Sequence, residues 1–410
     1  MIGNIVSGSP AARVSNDIAW GPPTADVGGL PPGSTLTRPA PATPGSTEAQ
    51  QTAARSVPIK HPFSFHNLSR LYRRTTAERI PQDRPSVVFS DFHAGDGGPR
   101  DDFVTNADLA ITVLEEYLRR GYRLILNGDV EELQKFPLET VRRQWKSLYR
   151  VFNRFERKDR LLRLVGNHDL DLIYDSEFDT PIHEALRWEV GDRENPDTMF
   201  IFHGHQASRR YELYNDHVGW ILRNIVSKLP VKNRSVSANN FKKKAIEERI
   251  YEFSRQKRIA SIIGHTHRPL FESLSKTDWV KYNIERLCRR HSIAERSERE
   301  GIRAEIDRLK AYLARTVPDR RKDIGSIYHD TFVVPSMFNA GCVLGKRGIT
   351  CIELDAEDIS LKYWFDSRRS DSDPRYDACD SVSLPGTAYR ESVLQSESLR
   401  YIFSRIHLLS

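Results

Sequence analysis

The stretch Leu164-Val165-Gly166-Asn167-His168-Asp169 decides how the chain is read: a short apolar run stops at a glycine, then presents an amide, an imidazole and a carboxylate in succession. An Asn carbonyl oxygen is a neutral ligand for a hard or borderline metal ion. An adjacent His can move a proton for chemistry at that metal. Taken alone, the stretch is also ordinary turn punctuation after a strand, so its meaning depends on whether the arrangement recurs.

It recurs. Upstream, Ser86-Val87-Val88-Phe89-Ser90 leads into Asp91-Phe92-His93 and the glycine-rich Gly95-Asp96-Gly97-Gly98, and strand alternation puts Asp91 and His93 on one face. Residues 123–127 read as a second strand ending at Gly128-Asp129. Residues 161–165 form the third. Downstream, 199–202 delivers His203-Gly204-His205, and 259–263 delivers Gly264-His265-Thr266-His267. Each polar group follows the carboxyl end of a short apolar strand, where sites gather in layered α/β sheets.

Helical patterns lie between these strands. Leu109, Val113, Leu114, Tyr117 and Leu118 share one helix face, closed by Gly121. Val141, Trp145, Leu148, Phe152 and Phe155 predict a single amphipathic helix, with Arg142, Arg143, Lys146, Arg150 and Arg154 on its other positions. Alternating strands and helices argue an α/β layered domain.

With 13 histidines in 410 residues, chance predicts roughly half an H-x-H pair. Two occur, each directly after an apolar strand. Asp91, His93, Asp129, Asn167, His203, His265 and His267 together form a set of N and O ligands large enough for two metals sharing one carboxylate.

The order D-x-H, G-D, G-N-H-D, H-G-H and G-H-T-H resembles the calcineurin-like metallophosphoesterase superfamily. The resemblance implies a four-layer α/β/β/α sandwich, with the strands through Phe365 in a second sheet. It implies that Asp91, His93 and His267 hold one metal, that Asn167, His203 and His265 hold the other, and that Asp129 bridges them. It further implies hydrolysis of phosphoric esters, a hydroxide held between the metals as nucleophile, and manganese as the ion, with iron and zinc chemically acceptable. His168 is placed to protonate the leaving oxygen. Asp169 and Glu132 are expected to support these residues from behind, and His205 either to touch phosphate or to be a hydrogen-bonded structural histidine.

Within the superfamily, H-G-x after Phe202 and G-H-T-H-R-P ending at Pro269 look similar to UDP-2,3-diacylglucosamine hydrolases. That branch usually carries an arginine where this chain has His168 and an aspartate where it has His205. A histidine at 168 is the pattern of general phosphatases and phosphodiesterases. The alternatives are therefore a pyrophosphate hydrolase of that branch, a nuclease of the same superfamily, and a metal-binding scaffold that keeps the fold without turnover.

The rest of the chain frames this domain. Residues 1–57 are rich in Pro, Gly, Ser, Thr and Ala and are expected to be a disordered tail. The metallophosphoesterase domain is expected over 58–365. Within it, 208–258 read as a helical, cap-like segment, and Gly219 to Leu229 as a helix packed on its own domain, capping the site or lying on lipid. Residues 269–322 predict a charged helical hairpin. Strand patterns return at 331–334, 348–354 and 359–365. Residues 366–410 are a polar extension ending in a short docked helix over 399–409.

A hydrophobic share of 39% suits a globular protein. No apolar run reaches the ~18 residues of a membrane span and no signal-peptide pattern opens the chain, so a cytoplasmic location is expected. The four cysteines, Cys288, Cys342, Cys351 and Cys379, lack C-x-x-C spacing and are read as reduced thiols. A net charge of +7 favours anionic partners: a small phosphorylated substrate first, then nucleic acid or a membrane surface. The runs Lys242-Lys243-Lys244 and Arg320-Arg321-Lys322 are read as solvated faces.

Overall fold

The computed structural model describes residues 62–81, 83–174, 181–208, 240–273, 276–316, 334–369 and 381–410. The expected tail, the stretch from Gly219 to Leu229, nearly all of the expected strand at 331–334 and the basic run at 320–322 lie outside the described residues.

In chain order the helices are α1 (Pro62–Arg74), α2 (Ala107–Arg120), α3 (Leu138–Gln144), α4 (Lys146–Glu156), α5 (Asn240–Lys257), α6 (Lys276–Ile293), α7 (Arg296–Thr316) and α8 (Leu399–Leu409). The strands are β1 (Ala77–Arg79), β2 (Ser86–Phe89), β3 (Arg123–Asn127), β4 (Leu161–Leu164), β5 (Ile182–His183), β6 (Ala185–Val190) and β7 (Asp197–Phe202). They continue with β8 (Ala260–Ile263), β9 (Met337–Asn339), β10 (Gly348–Leu354), β11 (Asp358–Asp366), β12 (Ser381–Ser383) and β13 (Tyr389–Ser398). Two sheets result, ordered β12-β13-β11-β10-β2-β3-β4-β5 and β1-β6-β7-β8-β9.

In the first sheet β2, β3 and β4 are mutually parallel. In the second, β7, β8 and β9 are. Parallel neighbours end on the same side, so the residues that follow β2, β3 and β4 share one edge, and those that follow β7 and β8 share another. Apolar packing joins the two sheets: Val88, Ile125 and Leu164 bury against Ile201, Ile262 and Phe338. The alternate residues Val87, Phe89, Leu124 and Leu126 turn away and pack with Tyr117, Phe152 and Phe155 of α2 and α4. Across the second sheet, Phe200, Phe202 and Ile263 meet Leu68 and Leu71 of α1 and Ile250 and Phe253 of α5. Strands buried on both faces read as continuous apolar runs, and each fully buried Phe or Leu contributes about 1.5–3 kcal/mol.

Gly121 closes α2 in the left-handed conformation, φ 91°, and the Tyr122 N–H reaches back to the Tyr117 carbonyl at 3.1 Å, a Schellman closure. The single helix predicted over Val141 to Phe155 is two. Trp145 leaves helical geometry at φ −100°, ψ 39°, its indole N–H donating to Asp101 Oδ2 at 3.0 Å and its ring standing edge-on to Phe103. The extension after Asp366 also departs from its loose reading, because β13 pairs along its length with β11.

Candidate metal centre

Four strand ends, those of β2, β3, β7 and β8, bring six of the predicted residues into two groups that touch. Asp91, His93 and His267 form one, and Asp129, His203 and His265 the other; within each group the ligand atoms lie within 4.8 Å of one another. The groups share an edge. His203 Nε2 is 3.1 Å from Asp129 Oδ2 and 3.9 Å from Asp91 Oδ1, and His93 Nε2 is 3.7 Å from each of the same two oxygens.

The backbone that presents them is unusual. Asp91, His93, Asp129, His265 and His267 all have positive φ, between 48° and 63°. For residues bearing a Cβ this is a costly region, and it persists where surrounding contacts over-determine it. Glycines make the close approach feasible: a Cβ on Gly166 would be driven into Asp129 Oδ1, and one on Gly264 into the Ser90 hydroxyl.

Each central carboxylate fixes one oxygen and presents the other. Asp91 Oδ2 accepts from the Ser90 hydroxyl at 2.6 Å and from the His265 N–H at 2.9 Å, while its buried Oδ1 accepts no hydrogen bond and lies 3.0 Å from His267 Nε2. Asp129 Oδ1 accepts the His168 N–H at 2.7 Å, and its Oδ2 is the atom beside His203 and His93. The imidazoles follow the same rule. His203 donates Nδ1–H to the Asn127 carbonyl at 2.7 Å, leaving a buried Nε2 without a hydrogen bond. His93 donates Nδ1–H to Glu132 Oε2 at 3.1 Å and sets its Nε2 3.2 Å from that of His267, a separation at which two lone pairs need a proton or a cation between them.

Asn167 Oδ1 is buried without a hydrogen-bond partner, although the Asn167 backbone carbonyl accepts from Gln134 Nε2 at 2.9 Å. Buried polar atoms are nearly always satisfied. Asp91 Oδ1 and His203 Nε2, 3.9 Å apart, are therefore donor atoms left for a further group, as is Asn167 Oδ1 on its own loop, and carboxylate and imidazole donors fit a divalent cation such as Mn, Fe or Zn.

Electrostatics point the same way. Burial works against charge on His93, yet Asp91, Glu132 and Asp129 outweigh it and raise its pKa to about 10. Burial is likewise outweighed at His203, where Asp129 and Asp91 raise the pKa to about 9. Desolvation is overcome at Asp91 by His267, His203 and His93 and at Asp129 by His203, His168 and His93, which hold both well below the usual carboxylate range. At His265, burial and then the neighbouring His203 push the pKa down to about 3. Negative charge concentrated in a buried site attracts protons when no metal is there, and a metal competes for the same positions.

Around this centre, Glu132 spans two rings: Oε1 is 2.7 Å from His168 Nδ1, and Oε2 holds His93. Asp169 ties two loops together, accepting from the Val130 N–H at 2.7 Å and the Gly166 N–H at 2.6 Å. Burial and then the charges of Asp129 and Glu131 raise its pKa to about 6. His205 is buried beside the rings of His203 and His265, its pKa held down by burial and those two neighbours. His168 and His267, with side chains 14% and 15% exposed, mark the side open to solvent.

Several supporting residues went unrecognised in the sequence. Asn127 orients His203, and Asn339 donates to the Thr266 hydroxyl at 2.8 Å and the Gly264 carbonyl at 3.3 Å, fixing the loop that carries His265 and His267. Buried Glu131 pairs with Arg163 beneath Asp129 and accepts from Tyr149 at 2.5 Å. Asn127 acts on His203 through its backbone carbonyl, which any residue would supply, so its side chain gives no signal for this role.

No protein-family model matches the sequence, and no curated protein matches it. Among solved structures the chain is similar to YfcE, a phosphoesterase from E. coli, at 14% identity and a TM-score of 0.28, over 67% of this chain and 91% of that one. So low a TM-score leaves too little common backbone for the likeness to carry an argument, and the functional reading rests on the site. Among the described residues no helix is long and apolar enough to cross a membrane.

Proposed function

We propose that the chain is a metal-dependent phosphoesterase whose centre holds two divalent cations, with manganese the expected ion. The observation that carries the reading is the pair of edge-sharing Asp/His groups, in which Asp91 and Asp129 each anchor one oxygen and present the other. Asp91, His93 and His267 would hold one cation, Asn167, His203 and His265 the other, and Asp129 Oδ2 lies where both groups reach it. The apolar clusters between and outside the sheets support a four-layer helix, sheet, sheet, helix arrangement.

Two such cations supply Lewis acidity toward phosphoryl oxygens and bring the pKa of water toward ~7. The chain's own residues do the rest. Strained backbone at five ligands fixes the donor atoms before substrate arrives, so little reorganisation is left for the reaction. Glu132 holds His168 by Nδ1, leaving the other ring nitrogen to give a proton to the ester oxygen as its bond to phosphorus breaks. Water supplies the oxygen of the new bond to phosphorus. His168 and His267 line the open side through which the ester enters.

The test is turnover by the manganese-reconstituted full chain on a phosphomonoester, a phosphodiester and a nucleotide diphosphate lipid. Hydrolysis of at least one, lost on chelation and restored by the metal, supports the reading. Two bound metals with no turnover of any would overturn it in favour of a scaffold.

A further inference from the structure

The basic run at the start of α5 is not a uniform solvated face. Lys242 and Lys244 are exposed, but Lys243 is buried, 8% exposed. Its stem is buried, while its ammonium is not among the fully buried polar atoms, the arrangement of a lysine that packs its methylenes and keeps its charged head in reach of solvent. Among the described residues Lys243 has neither a hydrogen bond nor a carboxylate at ion-pair distance. Its electrostatic neighbours are Cys342, Arg268, Glu247 and Asp91.

Those neighbours locate it. Glu247, one turn further along α5, accepts from the Thr266 hydroxyl at 2.6 Å and pairs with Arg268 at 3.0 Å, which pins this face of the helix to the loop carrying His265 and His267. Cys342 Sγ is 4.0 Å from the His267 carbonyl, and the next residue, Val343, donates its N–H to the Asp91 carbonyl at 3.3 Å. Lys243 therefore sits on the Asp91, His93 and His267 side of the centre. Glu247 is spent on Arg268 and the Thr266 hydroxyl, and Asp91 is the carboxylate proposed to hold a cation, so the positive charge of Lys243 is left for an anion from outside.

We propose that Lys243 binds a phosphoryl oxygen of the substrate and selects dianionic phosphomonoesters over phosphodiesters. This rests on the phosphoesterase reading and names its substrate class. A monoester dianion carries three non-bridging oxygens and two negative charges, and a diester carries two and one. Two cations and an ammonium complement the first. For the second, the ammonium meets an esterified oxygen of little charge.

The experiment uses the manganese-reconstituted full chain with Lys243→Met, which keeps the apolar stem, and Lys243→Arg, which keeps the charge. The readouts are kcat/KM for p-nitrophenyl phosphate and for bis(p-nitrophenyl) phosphate, and calorimetric binding of inorganic phosphate. Loss of a charge-assisted contact should lower monoester kcat/KM by about 10–100-fold, mostly through KM, and weaken phosphate binding by a similar factor. Diester turnover should stay within about twofold, which also reports an intact fold, and the Arg variant should recover most of the loss. Equal loss on both esters in a folded Met variant, or phosphate binding indifferent to Lys243, would overturn the inference. Wild-type turnover of both esters with that indifference would sink it alone. Phosphate binding that needs Lys243, without turnover of either ester, would sink the hydrolase reading and leave the anion site standing.

Discussion

The Glu132 carboxylate accepts Nδ1–H of His168 at 2.7 Å, and its second oxygen takes the same atom of His93 at 3.1 Å. One side chain therefore sets the ring of the proposed proton donor and the ring of a proposed ligand, which stand edge-to-face with centroids 4.6 Å apart. Carboxylate partners of this kind fix tautomer and orientation.

Glu132→Gln should lower kcat by about 10–100-fold, and His168→Ala by about 10²–10⁴ with the metals retained. If Glu132 acts through His168, the double variant should be little worse than His168→Ala alone. Steady-state kinetics with metal analysis checks both points, and full activity in His168→Ala would remove that residue from the chemistry.

Gly166→Ala should be disproportionately damaging for a single methyl. The added carbon is driven into Asp129 Oδ1, the oxygen that receives the His168 N–H. Overpacking of this sort costs about 1–3 kcal/mol, and displacing Asp129 should abolish tight binding at the second group. Urea denaturation and a manganese titration of the variant report the two effects separately.

Asp169→Ala removes the acceptor of two buried backbone N–H groups, those of Val130 and Gly166. Leaving both unsatisfied should cost about 2 kcal/mol, taking the low end of the range for each. Asp169→Asn, which keeps one acceptor oxygen, should cost less. Equal denaturation midpoints for wild type and the Ala variant would contradict the anchoring role.

Metal binding should release protons and strengthen with pH. His93 and His203 have pKa values raised to about 10 and about 9, above the ordinary histidine value. Their protonation stabilises the metal-free fold fully below ~6.5, and that contribution is lost as pH rises through 9 to 10. Cations displace these protons, so the gap in Tm between manganese-loaded and metal-free protein should widen from pH 6.5 to 8.5. Calorimetry near pH 7.5 in buffers of different ionisation enthalpy should count about two protons released per chain. A pH-independent gap without proton release would count against these assignments.

Much of the centre was legible because its chemistry sits just past the ends of strands buried on both faces, where a short apolar run gives way within a few residues, often across a glycine, to an Asp, Asn or His. The structure brings Asp91, His93, Asp129, His203, His265 and His267 together in two adjoining groups. Elements whose signal is carried by pairing were harder to see. β13 has Val393 and Leu394 among polar neighbours, and its strand state comes from its ladder with β11. β6 was readable in hindsight, since Leu186, Trp188 and Val190 alternate and are buried. The break at Trp145 was not, because the hydrogen bond to Asp101 that accompanies it spans 44 residues. Lys243 was misread for a related reason: a run of three lysines looks solvated until the helix that bears it is docked, and one position of the three turns inward.

The central claim is that these side chains hold two cations, and the most direct measurement is the manganese content of the full chain after reconstitution and desalting, compared with Asp129→Asn. Two ions per chain in the wild type, falling to one or fewer in the variant, is the predicted result. A wild-type chain that retains none, or a variant that retains as many as the wild type, would contradict it.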